Sequence, residues 1–188
     1  MGMSNSSFIA STPNTVFLVG FMGCGKSTVG ACLAQRLAWR FVDLDEQIEN
    51  AEGCTIAEIF ARAGEAEFRR MEHEALRRIV EEGGRTGGRV IALGGGTFVQ
   101  PRNLELLQRA RALTIWLECP VDELLLRCAL MKNRPLFRDE SSFRRLYQER
   151  LPFYQQATFT VPAGQAEPKE VVNRILALKP FQGLVCCT

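Results

Sequence analysis

Eight consecutive residues, Gly20-Phe21-Met22-Gly23-Cys24-Gly25-Lys26-Ser27, satisfy the pattern G-x-x-x-x-G-K-[ST]. Phosphate chemistry needs each fixed position. Glycines let the backbone curl until successive N–H groups point inward at an anion, and the positive end of a following helix adds to the attraction. Lys26 then bridges the terminal phosphates of a nucleotide, and the Ser27 hydroxyl can ligate Mg²⁺. The competing reading is a glycine-rich turn without a ligand, which would leave the match at all fixed positions to coincidence. A cradle specifies a nucleotide but no reaction. None of Asp43, Asp45, Asp122 and Asp139 opens a D-x-x-G, and N-K-x-D is absent, which argues against a GTPase switch. Asp43 and Asp45 stand two residues apart where a short strand ends. In an extended stretch such residues point the same way, so both carboxylates would face the crevice that open α/β sheets form at their strand ends. Asp43 could then reach Mg²⁺, directly or through water, while Asp45 meets an acceptor. An acidic helix start, which Asp45 and Glu46 suit, is the local alternative.

Strands and helices must alternate to position these groups. Val16 to Val19, an apolar run bounded by Gly20, reads as a buried strand, and Ser27 to Leu37 has helical apolar spacing at Val29, Cys32, Leu33 and Leu37. Phe41 to Asp43 is a short strand. Thr55-Ile56-Ala57-Glu58 is a capping box that starts one helix near Ile56, running to Gly64, with a second from Glu65 to Glu81. Strands at 89–93, 113–117 and 158–161 alternate with helices at 103–110, 121–131 and from about Ser142, and Pro168 opens a last helix at its first turn. Parallel strands need crossovers, so this order predicts an α/β fold with helices on both faces of a parallel sheet.

Composition removes other classes. The 188 residues are 46% hydrophobic and 23% charged, an ordinary globular balance for one domain. With 23 Lys and Arg against 21 Asp and Glu, the net charge of +2 advertises neither a nucleic-acid nor a membrane surface. Seven cysteines without a C-x-x-C pair, beside a single histidine, fit neither a disulfide framework nor a zinc site, so a reducing, cytoplasmic setting is expected. The apolar stretch Val16 to Cys24 is too short to span a membrane, and the uncharged start lacks the basic residue that opens a signal peptide. Nineteen of the cations are Arg, whose planar fork suits carboxylate and phosphate, although a general bias would give the same count.

The order of motifs is more specific than any one of them. Gly20 to Thr28, Phe41-Val42-Asp43-Leu44-Asp45, Gly64-Glu65-Ala66-Glu67-Phe68-Arg69-Arg70, Leu93-Gly94-Gly95-Gly96, Asn133-Arg134-Pro135-Leu136 and Glu149-Arg150-Leu151-Pro152-Phe153-Tyr154 resemble the shikimate kinases across roughly residues 15 to 180. The resemblance implies a three-layer α/β/α P-loop kinase fold with a five-stranded parallel sheet, and a mobile lid at 132–140. It implies transfer of the terminal phosphoryl group of ATP to the 3-hydroxyl of shikimate, with Mg²⁺, in aromatic amino-acid biosynthesis. Gly23, Cys24, Gly25, Lys26, Ser27 and Thr28 would hold the nucleotide phosphates, Arg127 and Pro168 would sandwich the adenine, and Ser27 and Asp43 would serve the metal. Asp45, Arg69, Gly95, Gly96 and Arg150 would bind the acceptor, with Lys26, Asp45 and Arg134 acting in transfer and Arg134 swinging in on the lid. Local sequence does not separate Arg69 from Arg70, Arg77 and Arg78, nor Arg150 from Arg144 and Arg145.

The chain departs from the family pattern in the loop Pro162 to Glu167, which lacks a polar or basic residue common near the adenine, and in the tail from about Lys179. His73 is read as a surface residue of the Arg69 helix, since phosphoryl transfer needs no histidine. The whole is expected to be one domain and a monomer, with 1–14 a mobile lead-in and 180–188 an unassigned tail. The rival readings are a kinase of another small polyhydroxy acid such as gluconate, a nucleoside monophosphate kinase, and a nucleotide-binding regulatory module without strong catalysis.

Overall fold

The chain was analysed as a computed structural model that describes residues 14–83, 87–129, 139–182 and 184. The expected lid up to residue 138, with Arg134, most of the lead-in and much of the tail lie outside these residues. Five strands, β1 (Thr15–Val19), β2 (Arg40–Asp43), β3 (Arg89–Ala92), β4 (Leu113–Glu118) and β5 (Phe159–Pro162), form one sheet in the order β2-β3-β1-β4-β5. Every pairing is parallel. The described helices are α1 (Lys26–Leu37), α2 (Leu44–Glu52), α3 (Ile56–Glu82), α4 (Pro101–Arg109), α5 (Val121–Ala129), α6 (Glu140–Tyr154) and α7 (Pro168–Leu176).

Val16 to Val19 are at most 3% exposed, side chains of both pleat directions included. A strand buried on both faces requires helices on both, which is why its sequence is a continuous apolar run rather than an alternation. Because all strands point the same way, their carboxyl ends share one edge. Register places Asp43 opposite Ala92, Ala92 opposite Leu18, and Val19 opposite Trp116. The chain leaves central β1 to build β2 and β3 on one side and β4 and β5 on the other, and above that reversal parallel sheets form their ligand crevice. The loops that follow β1, β2 and β3 therefore converge there.

Two details differ from the sequence reading, a helix at 44–52 and the start of α4, while the expected break at Gly64 is present. Helix α2 occupies 44–52, where periodicity had assigned nothing; its short apolar face, Leu44 and Ile48, is the only part buried. The helices expected at 56–64 and 65–81 are consecutive, broken where Gly64 takes φ 78° and ψ 174°. Helix α4 begins at Pro101 rather than Asn103, with Pro in the first turn where its missing N–H costs no bond. Thr55 and Glu58 form the capping box that fixes the start of α3, and Pro162 ends edge strand β5 opposite Glu118, where a lost donor is tolerated. None of the described helices is long and apolar enough to cross a membrane.

Candidate active site

The loop between β1 and α1 is built to receive an anion. Gly25 caps α1 at φ 94°, a left-handed conformation that costs glycine little, and no side chain caps that helix end. By contrast Asp43, Thr55 and Asp139 cap α2, α3 and α6 with side-chain oxygens, and α4 and α7 start on proline. The first N–H groups of α1 are thus left for a ligand. Ser27 and Thr28 are exposed at this end, while the Cys24 side chain is buried beneath the loop. Lys26 Nζ folds over the loop onto the carbonyls of Gly20 and Phe21, at 3.0 Å each.

Ser27 Oγ donates to Asp43 Oδ2 at 2.6 Å, so the two residues expected at the metal meet. Asp43 does not share an extended run with Asp45, as the i, i+2 argument had assumed. It is the N-cap of α2, and its Oδ1 accepts from the Asp45 backbone N–H at 3.0 Å. Asp45 lies in the first helical turn, so the local alternative, an acidic helix start, holds together with a crevice location. The Asp45 carboxyl is pushed up to about 6, chiefly by burial and then by the negative charges of Asp43 and Glu72, with Lys26 opposing.

Gly94, Gly95 and Gly96, one residue after β3, gather four side chains from three helices. A Cβ on Gly94 would lie 2.6 Å from Asp45 Oδ1 of α2, and one on Gly96 would lie 2.8 Å from both terminal nitrogens of Arg69 on α3. The Gly95 carbonyl accepts from Arg150 Nη1 at 3.1 Å and from the Tyr154 hydroxyl at 2.6 Å, both on α6. The same Arg150 stands 5.5 Å from the centroid of the Phe21 ring, within cation–π range, and Gly95 abuts the Met22 backbone. The glycine run therefore borders the phosphate loop on one side and holds a carboxylate and two guanidinium groups on the other. The arginines that sequence could not separate lie in different surroundings. Arg69 is 20% exposed, whereas Arg70 and Arg78 are 64% and 68% exposed and Arg77 pairs outward with Glu74 and Glu81. Arg144 and Arg145 likewise pair with acidic residues at the surface.

Sequence reasoning missed the groups that hold this arrangement. Glu72, 1% exposed, accepts from Arg69 Nη1 at 3.0 and 3.1 Å and from the Thr97 hydroxyl at 2.6 Å. Asn103 Nδ2 donates to the Thr97 carbonyl at 3.0 Å; its amide oxygen, 2.7 Å from His73 Nδ1, accepts from that ring nitrogen. His73 is thus half-buried and bridges α3 to α4, not a free surface residue. An acid three positions after Arg69 on the same helix was the one available signal, since i, i+3 side chains meet. Thr97, Asn103 and Tyr154 carried none. Arg127 Nη1 donates to the Gly23 carbonyl at 3.3 Å, which sets it beside the phosphate loop. Pro168 opens α7.

The family model for shikimate kinase matches residues 22–179. The chain belongs to the shikimate kinase family. A shikimate kinase of Synechococcus elongatus is 41% identical to it over 169 residues, 88% of this chain and 86% of the relative. The solved structure of an Acinetobacter baumannii shikimate kinase in complex with shikimate is 36% identical, with a TM-score of 0.80 over 88% of this chain and 92% of that one. One from Aquifex aeolicus is 35% identical, with a TM-score of 0.76 over 93% and 99%. The chain is accordingly an ATP-dependent small-molecule kinase, and the expected fold with its five-stranded parallel sheet is present.

Proposed function

We propose that this crevice transfers the terminal phosphoryl group of ATP to the 3-hydroxyl of shikimate, giving shikimate 3-phosphate. The observation that carries the residue assignment is the glycine run at 94–96, where one carboxylate and two arginines from separate helices converge beside the phosphate loop. An acceptor with a carboxylate at one end and hydroxyls at the other matches that set. Arg69 and Arg150 take its carboxylate through charge-assisted bonds whose two-point geometry Lys would not reproduce. Asp45 orients the attacking hydroxyl and accepts its proton, a task its raised pKa suits near neutrality. The backbone of Gly95 and Gly96 gives the acceptor close approach.

On the nucleotide side, the backbone of the loop at Gly23, Cys24 and Gly25 and of the first turn of α1 at Ser27 and Thr28 receives the phosphates, and Lys26 leaves its resting carbonyls to bridge them. Phosphoryl transfer has a loose transition state with charge spread over oxygens, so such placed cations lower the barrier. Arg134, outside the described residues, is assigned the same task from the lid, and Arg127 with Pro168 the adenine. The donor set fits Mg²⁺: Ser27 Oγ and Asp43 Oδ2 are hard oxygens side by side, and Mg²⁺ keeps several waters, so two protein oxygens suffice. When bound, that ion neutralises charge on the phosphate oxygens.

Both substrate sides lie within one chain, which supports action as a monomer. The five described cysteines are free, in keeping with a reducing cytoplasm. Measuring ADP release with shikimate, gluconate, AMP and no acceptor tests the assignment. Turnover with shikimate alone is expected. Turnover with gluconate or AMP but not shikimate would overturn it, and nucleotide binding without turnover on any acceptor would make the chain a binding module.

A further inference from the structure

We propose that Glu123 is a positioning residue for nucleotide affinity: its carboxylate locks Arg127 and the Ala163–Gln165 turn into one wall of the base side. This rests on the assignment of Arg127 to the base. Glu123 lies on α5 one helical turn before Arg127, is 17% exposed, and accepts from Arg127 Nη2. Both of its oxygens also stand 2.9 Å from the backbone nitrogen of Gln165, so a single carboxylate holds two segments some forty positions apart. Burial pushes the nearby Cys119 thiol up to about 12, with the Arg127 charge opposing and the Glu123 charge adding to the rise.

The turn is shaped around this carboxylate. Gln165 is one of three non-glycine residues with positive φ among the described residues, at φ 50°, a conformation that persists only where surroundings enforce it. A Cβ on Gly164 would lie 2.9 Å from Glu123 Oε2 and 2.6 Å from Pro120 Cδ, so the backbone is pressed against the clip. Arg127 is held as well by the carbonyls of Gly23, at 3.3 Å, and Ala163, at 3.5 Å. With three of its five in-plane N–H donors directed at these acceptors, the guanidinium is held in one plane and keeps its flat face, the surface that stacks on an aromatic base. A cation fixed before the ligand arrives loses less freedom on binding. The loop Pro162 to Glu167 supplies no basic side chain of its own, so in this chain rigidity of Arg127 takes the place of an added contact.

The test compares the intact protein with Glu123→Gln, Glu123→Ala, Arg127→Ala and the Glu123→Ala/Arg127→Ala pair. It reads kcat, the KM for each substrate, and calorimetric binding of ADP and of inorganic tripolyphosphate, which fills the phosphate cradle but has no base. Glu123→Ala is expected to weaken ADP and raise the ATP KM by about tenfold, the scale of coupling between contacting groups. Glu123→Gln should cost less because it keeps an acceptor for Gln165. Shikimate KM, kcat and tripolyphosphate affinity should stay within about twofold, and the double variant should be no worse than Arg127→Ala alone. Should Glu123→Ala fail to fold, Glu123→Gln carries the same comparison. Unchanged ADP affinity in both Glu123 variants, with a loss in Arg127→Ala, would overturn the role of Glu123 alone. Equal losses of ADP and tripolyphosphate would mean that the clip acts on the cradle, and would overturn it too. An Arg127→Ala variant with normal ADP affinity would remove the base-side assignment itself.

Discussion

The two halves of the crevice are built by opposite means. The phosphate cradle of the nucleotide half is local: residues 20–28 run from a buried strand through one loop into one helix, and the groups it offers to the ligand are mostly backbone N–H. The acceptor half is collected from α2, α3 and α6 around three glycines, and its Arg69 is held by a network that runs through Glu72, Thr97 and Asn103 to His73. Backbone geometry can be written in a short pattern, because the turn itself demands particular residues. A constellation of side chains cannot, because its members need only meet after folding.

The largest expected effect falls on the local half. Lys26→Ala should lower kcat by about a thousandfold or more, since a cation placed on transferring phosphate is a main source of rate, while circular dichroism and melting stay near normal. Near-normal turnover in that folded variant would dissolve the division of labour. Asp45→Asn should follow, with a loss of about a hundredfold or more in kcat, the range of a positioned general base. Its pH behaviour sharpens the comparison. Asp45 must be ionised to accept a proton, so kcat/KM for shikimate should fall as pH drops through about 6, and that limb should vanish in Asp45→Asn. The sign for stability is opposite. The folded state raises the carboxyl from 3.8 to about 6, so it binds the proton more tightly than the unfolded chain; the resulting stability is complete below pH 3.8 and lost as pH rises through about 6. Asp45→Asn should therefore melt higher than the parent at pH 7.5, as expected where function holds a group in an unfavourable place.

The supporting network comes next. Glu72→Ala leaves Arg69 with only the exposed Glu65 and strips the buried Thr97 hydroxyl of its acceptor, a loss of about 2 kcal/mol, readable by urea unfolding. Arg70→Ala, whose ion pair with Glu67 is exposed, should leave the unfolding midpoint unchanged. An equal response of the two would show that the acceptor half needs no buried brace.

Legibility followed the same division. The phosphate loop, the order of strands and helices and the capping box at Thr55 were readable because each depends on neighbours in sequence. The roles of Arg69 and Arg150 came only through family likeness, for five arginines share α3 and three share α6, and only exposure and pairing in the folded chain set them apart. Helix α2 escaped because nine residues with two buried apolar positions make no clear period. The error at Asp43 and Asp45 was one of local geometry: the strand stops at Asp43 to cap the helix, so two carboxylates reach one crevice through a turn rather than a pleat.

Calorimetric titration of Arg150→Ala with shikimate and, separately, with ADP tests the two-sided crevice most directly. Arg150 is the decisive residue because it stands on the boundary, bonded to Gly95 and stacked near Phe21 of the phosphate loop. The assignment to the acceptor predicts shikimate affinity lower by about ten- to a hundredfold, the worth of a charged hydrogen bond, with ADP affinity within about twofold. Loss of ADP affinity with shikimate binding intact would place Arg150 on the nucleotide and contradict the account.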